Sequence, residues 1–117
     1  MGKLTTHVLD TANGKPASGM AISLYRCKDD SKQLVGSWMT NADGRCDAPI
    51  LDGVNFHVGT YELVFAVASY FDRIGDSQVN PSFLDLVPVR FSIADADAHY
   101  HVPLLVSPWS YSTYRGS

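Results

Sequence analysis

Apolar and polar residues alternate with a period of two along most of this chain, and that confines it to a fold of half-buried β-strands. In residues 4–10, Leu4, Thr6 and Val8 alternate with Thr5, His7 and Leu9. In residues 20–25, Met20, Ile22 and Leu24 alternate with Ala21, Ser23 and Tyr25. Residues 61–67 and 87–93 repeat the pattern with Tyr61, Leu63, Phe65, Val67 and with Val87, Val89, Phe91, Ile93. A pleated strand sends successive side chains to opposite faces, so each run lays one face on a core. Such runs read as antiparallel strands. Residues 33–40, with Leu34, Val35, Trp38 and Met39, read as a further strand. Turn chemistry separates the runs at Asn13-Gly14 with Lys15-Pro16, at Asp43-Gly44, at Asp52-Gly53 and between Asp95 and Ala98. One short helix is expected, with Ser69 as its N-cap and Gly75 just past its end. Seven or eight short strands and one helix predict an all-β sandwich.

With 117 residues, 45% of them hydrophobic, the chain has material for one core, so a single domain over residues 1–117 is expected. Nine Lys and Arg against twelve Asp and Glu give a net charge of -3, and no basic run exceeds two residues. A nucleic-acid partner is therefore not expected. Neither is a membrane, since there is no apolar stretch of spanning length and no leader-like segment ahead of Leu4. A cytoplasmic location is the expectation. Cys27 and Cys46 can in principle pair, but in a reducing compartment two free thiols are expected.

The last third of the chain departs from simple alternation. In residues 99–106, Tyr100, Val102, Leu104 and Val106 fill one face, and His99, His101, Pro103 and Leu105 the other. Such a strand is central or is covered by something beyond its own core. Pro103 cannot donate to a ladder and sits badly in a regular central strand. Residues 109–115 bring Trp109, Tyr111, Tyr114 and Arg115, and aromatic residues on a terminal strand point to a subunit contact.

The segment Tyr114-Arg115-Gly116-Ser117 resembles the terminal Tyr-Arg-Gly-Ser of the 5-hydroxyisourate hydrolases in the transthyretin-like family. Three further segments agree in order: Thr6-His7-Val8-Leu9-Asp10, Asp43-Gly44-Arg45-Cys46, and His99-Tyr100-His101-Val102-Pro103-Leu104-Leu105 followed by Ser107-Pro108. The resemblance runs from Leu4 to Ser117. It departs at Tyr70-Phe71, where the family often has tryptophan second, and at Gln78-Val79-Asn80-Pro81. It implies a transthyretin-like sandwich of two four-stranded sheets, a homotetramer with sites in the channel between dimers, and a reaction without cofactor or metal. Parity is compatible with this: His7 shares a non-core face with Leu9, His101 with Pro103 and Leu105, and Ser112 with Tyr114.

The implied reaction opens a ring amide of 5-hydroxyisourate, giving 2-oxo-4-hydroxy-4-carboxy-5-ureidoimidazoline. It needs an activated water, a donor for the developing oxyanion and a proton for the leaving nitrogen. Imidazole titrates near working pH, and a guanidinium offers a permanently charged fork of donors. His7, His101 and Arg45 are therefore the expected catalytic residues, with the choice of base between the histidines open. Tyr114, Ser117, Arg115, Leu105 and Ser112 are the expected substrate contacts, Ser117 also anchoring the last strand through its carboxylate. His99 shares the face of His101, as a support or a bystander. His57, in a loop near Gly59, reads as a surface residue. The spacing of His99 and His101 could place two metal ligands on one face, but no acidic residue joins them in sequence, so no metal is expected. Transthyretin, a hormone carrier of the same fold, lacks the histidines, the arginine and the terminal motif, so an enzyme is expected rather than a carrier.

Overall fold

The computed structural model describes residues 1–76 and 79–117; Gln78, within the departure from family pattern noted above, lies outside them. The strands, in chain order, are β1 (Lys3–Thr5), β2 (Val8–Asp10), β3 (Lys15–Pro16), β4 (Ala21–Lys28), β5 (Ser31–Met39), β6 (Leu51–Asp52), β7 (Gly59–Ala66), β8 (Leu86–Ile93), β9 (His99–His101), β10 (Leu104–Val106) and β11 (Tyr111–Thr113). A single helical turn covers Gly53–Asn55, and α1 covers Val67–Arg73.

One layer is the antiparallel sheet β5-β4-β7-β8. The other is a sheet interrupted across its middle, with β6-β1-β9 at one end and β11-β10-β2-β3 at the other. Two of the expected strands are thus each broken in two: residues 4–10 divide at Thr6-His7 and residues 99–106 at Val102-Pro103. The halves stay in line because Val102 N–H donates to Thr5 O at 3.0 Å and Leu104 N–H to His7 O at 2.9 Å. Across the break, the buried Thr6 hydroxyl donates to Val102 O at 2.7 Å. This layer is therefore four strands wide, matching the expected pair of four-stranded sheets.

The seam between these two broken strands is parallel, with Leu4 opposite Tyr100 and Leu9 opposite Leu105, whereas antiparallel strands were expected. The two runs are far apart in sequence, and a long connection permits parallel pairing where a tight hairpin would not. Pro103 is accommodated at the interruption. His101 pairs with Gly116 and Leu104 with Thr113, so the ladder skips Pro103 in constant register. The proline carbonyl instead accepts from the Thr113 hydroxyl at 2.7 Å.

The core lies between the layers. Leu4, Val8 and Leu104 from one layer and Ile22, Leu24 and Leu63 from the other are 0–1% exposed. Burying an aliphatic side chain of this size stabilises the fold by roughly 1.5–3 kcal/mol. Helix α1 adds Val67, Tyr70 and Phe71 to this core. It starts directly off β7 at Val67, so Ser69 lies inside its first turn and is not the N-cap. Burial of Val67 fixes the entry, and the Ala68 N–H is satisfied by Asp85 O at 3.1 Å. The C-terminal end is as expected: Gly75 stands at φ +83°, with Gly75 N–H to Asp72 O and Asp76 N–H to Phe71 O closing the turn. Cys27 is buried and Cys46 partly buried, both as free thiols. Among the described residues, no helix is long and apolar enough to cross a membrane.

Candidate active site

The break in the interrupted sheet gathers polar side chains on that sheet's outer face. Thr5 stands opposite His101 in the parallel register, and Lys3 opposite His99. The Thr5 hydroxyl oxygen is 2.8 Å from His99 Nε2 and 2.8 Å from His101 Nδ1, so one hydroxyl joins two imidazoles. The rings themselves are 6.3 Å apart between centroids.

Arg45 reaches the same place from a tight turn. Asn41 Oδ1 accepts from Asp43 N–H at 2.9 Å and from Arg45 N–H at 3.1 Å, while its amide donates to Asp47. Gly44 closes the turn at φ +74°, and a Cβ there would lie 2.4 Å from Val8 O. Only glycine fits. Val8 N–H donates to Gly44 O at 2.8 Å, and the backbone of His7 bridges that of Arg45, which ties the arginine turn to the sheet break. His7 Nε2 lies 2.8 Å from Asp43 O. A carbonyl oxygen only accepts, so Nε2 carries a proton and, in the neutral ring, Nδ1 holds the lone pair.

The C-terminal segment closes the other side. His101 N–H donates to Gly116 O at 3.2 Å, and Gly116 N–H to His101 O at 2.7 Å. Gly116 lies against the imidazole, where a Cβ would come within 3.2 Å of His101 Cδ2. The result is a cavity of about 420 Å³ lined by, among others, Lys3, Thr5, Arg45, His99, His101 and Ser117.

Its electrostatics favour neutral imidazoles. Desolvation, then the charges of Arg45, His99 and His7, hold His101 below the ordinary imidazole range. Desolvation, then Lys3 and Arg115, do the same for His99. Desolvation, with Asp47 beside it, pushes the Cys46 thiol up, so the thiol in this cavity wall is kept protonated. Among the described residues, no three His, Cys, Asp or Glu side chains converge as metal ligands.

Of the candidates from sequence, Arg45, His101 and Ser117 meet in this cavity, together with His99. His7 joins them through the Arg45 bridge and its influence on His101, without lining the cavity. Leu105 and Ser112 are register partners on the outer face of β10 and β11, beyond the break. Tyr114 and Arg115 line a separate groove with Phe91 and Tyr100, the Arg115 guanidinium resting 4.4 Å from the centre of the Tyr100 ring. His57 is exposed, on another cavity beside Arg26 and Trp38. Sequence reasoning missed Thr5, the Asp43 carbonyl and Asn41. The parity of Thr5 with His7 was a signal for the first. Nothing local in the sequence announces the other two.

A two-layer sandwich with an imidazole and guanidinium cavity at a broken sheet defines a transthyretin-like protein built for polar chemistry. The HIUase/Transthyretin family matches residues 4–116, and the chain belongs to that family. It is similar to 5-hydroxyisourate hydrolase 2 of Rhizobium meliloti (strain 1021), at 59% identity covering 99% of this chain and 97% of the relative. Its fold matches that of the Klebsiella pneumoniae 5-hydroxyisourate hydrolase, with TM-score 0.82, 33% identity and 100% of both chains covered. It also matches an (S)-allantoin synthase, with TM-score 0.94 and 52% identity over 99% of this chain; the chain spans 44% of the length of that protein.

Proposed function

We propose that this protein hydrolyses 5-hydroxyisourate to 2-oxo-4-hydroxy-4-carboxy-5-ureidoimidazoline in urate breakdown. The observation that carries this reading is the convergence of Arg45 and His101 on one cavity, with His7 held against the arginine turn. The names of the matched hydrolases support it, since they specify that substrate.

In the reaction, water adds its oxygen to a ring carbonyl carbon, the C–N bond breaks, and the leaving nitrogen takes a proton. A histidine removes the water proton, through His7 Nδ1 or His101 Nε2, the ring nitrogens not engaged by Asp43 O or Thr5. Arg45 binds substrate oxygens and stabilises the charge that develops on them. Desolvation and, after it, the positive charge of Arg45 hold His101 below the ordinary imidazole range, so the neutral ring is available to accept a proton. Ser117 contacts substrate from the cavity wall. No metal or cofactor enters this scheme.

We further propose that residues 1–117 act as one domain in a cytoplasmic homotetramer, with sites in the channel between dimers. Leu105, Ser112, Tyr114 and Arg115, which lie outside the cavity of their own chain, complete the walls of such a channel. The test is ultraviolet decay of 5-hydroxyisourate generated from urate by uricase, with and without this protein. Accelerated decay that His101→Ala abolishes supports the reading. Decay at the spontaneous rate with folded protein present refutes it.

A further inference from the structure

We propose that Thr5 is a positioning residue that joins His99 and His101 in one hydrogen-bonded chain, holding the two rings in matching tautomers and making His99 the terminal proton acceptor behind His101. The chain itself stands on geometry; its catalytic use rests on the hydrolase reading.

A single hydrogen, that of the Thr5 hydroxyl, links the two rings. Thr5 Oγ1 lies 2.8 Å from a ring nitrogen of each histidine. A hydroxyl donates once and accepts through its remaining lone pairs. Both rings are held below the ordinary imidazole range, chiefly by desolvation, so both are neutral at neutral pH. If Thr5 donates to His101 Nδ1, it accepts from His99 Nε2, and both rings carry their proton on Nε2. If Thr5 donates to His99 Nε2, it accepts from His101 Nδ1–H, and both carry it on Nδ1. A hydroxyl that donates and accepts at once polarises both bonds and leaves no hydrogen idle in a half-buried site. The two tautomers are therefore linked.

The second arrangement leaves the His101 Nε2 lone pair unprotonated, as a base requires. When Nε2 takes a proton from water, the Nδ1 proton passes to Thr5 Oγ1 as the hydroxyl proton passes to His99 Nε2. Thr5 ends with one proton, as it began. His101 returns to neutral with its proton on Nε2, and the positive charge has moved to His99, away from Arg45. As the Nε2 proton goes to the leaving nitrogen the relay runs back, His99 Nε2 returning its proton to Thr5 Oγ1 and the hydroxyl proton passing to His101 Nδ1. All three groups end as they began. Lys3 and Arg115 bear on His99, Arg45 and His7 bear on His101, and Cys46 and Asp47 stand in the wall of the same cavity.

The experiment is ¹⁵N NMR of the imidazoles in the intact, uniformly labelled protein, with His99 and His101 assigned by single substitutions to Gln. Like tautomers in the wild type are expected, with the match lost in Thr5→Val and restored in Thr5→Ser. Unlike tautomers in the wild type overturn the chain whatever the protein hydrolyses, so this readout is independent of the functional reading. If 5-hydroxyisourate is turned over, Thr5→Val lowers kcat by about tenfold or more with little change in KM. It also shifts the acid limb of the kcat profile, and Thr5→Ser recovers both. A folded Thr5→Val protein with wild-type kcat and an unmoved acid limb overturns the relay.

Discussion

At Gly44, one missing methyl group decides where a guanidinium stands. The left-handed φ of +74° and the 2.4 Å approach of a hypothetical Cβ to Val8 O act together. Gly44→Ala is expected to destabilise the fold by about 2 kcal/mol or more, from backbone strain before any steric shift is added. A lower urea midpoint at unchanged slope checks this, and an unchanged midpoint disproves it. His101 supports a second prediction at the same scale. Its folded pKa is lowered, so the unfolded chain binds more protons in the window just below about 6.5. Stability from this group is therefore present above that window and is lost as pH falls through it. The ring should titrate by NMR below the ordinary imidazole value, and Arg45→Gln should move its midpoint upward by removing a facing positive charge. A midpoint at or above about 6.5 in the wild type contradicts this account. Strand parity alone placed His7, Thr5, His99 and His101 on an outer face. What parity does not contain is the register between β1 and β9, and so the meeting of Thr5 with both imidazoles was not legible.

Elements were legible where burial alternated and illegible where the ladder was interrupted. The strands β4, β5, β7 and β8 fall on the expected runs within a few residues. Residues 4–10 alternate in burial throughout and residues 99–106 do so except at the buried Pro103, yet both runs break, because the interruption is made by hydrogen bonding. Thr6 is the staple there, with its buried hydroxyl on Val102 O. Thr6→Val keeps the shape and removes the donor, leaving a buried carbonyl without that partner. A loss of about 1–3 kcal/mol is expected in chemical denaturation. Wild-type stability in this variant shows that the break does not depend on the staple. Pro103 belongs to the same lesson. Its want of an N–H argued against a central strand, yet the strand accommodates it by omitting one rung between His101–Gly116 and Leu104–Thr113. The helix start was misplaced for a related reason. Ser69 has capping chemistry, but the apolar Val67 behind it is drawn into the core as β7 ends, and burial set the boundary.

The whole molecule presents open sheet edges and a largely exposed aromatic patch among its described residues. β8 ends one sheet and β11 the other, each bonded on one side only among the described residues. Exposed strand edges of this kind are templates for pairing with another chain. Beside β11, Trp109 is 51% exposed and its ring lies tilted against that of Phe83, itself 67% exposed, at 5.9 Å between centroids. Tyr111 and Tyr114 on the same terminal segment are 45% and 60% exposed. Large aromatic groups so exposed are characteristic of surfaces that meet a partner. Two distinct surfaces, an edge and a patch, suit two distinct contacts, which is what a dimer of dimers needs. The patch is the more readily tested, because Trp109 lines neither the catalytic cavity nor the sheet edge. Sedimentation of the wild type is expected to give about four times the 12.8 kDa chain mass. Trp109→Glu places a charge in the patch and is expected to leave species no larger than a dimer, with the secondary structure of the parent. If Leu105 and Ser112 serve the site from a neighbouring subunit, that dimer turns over 5-hydroxyisourate much more slowly than the tetramer. A tetrameric Trp109→Glu protein puts the contact elsewhere, and a fully active dimer confines the site to the residues of one cavity.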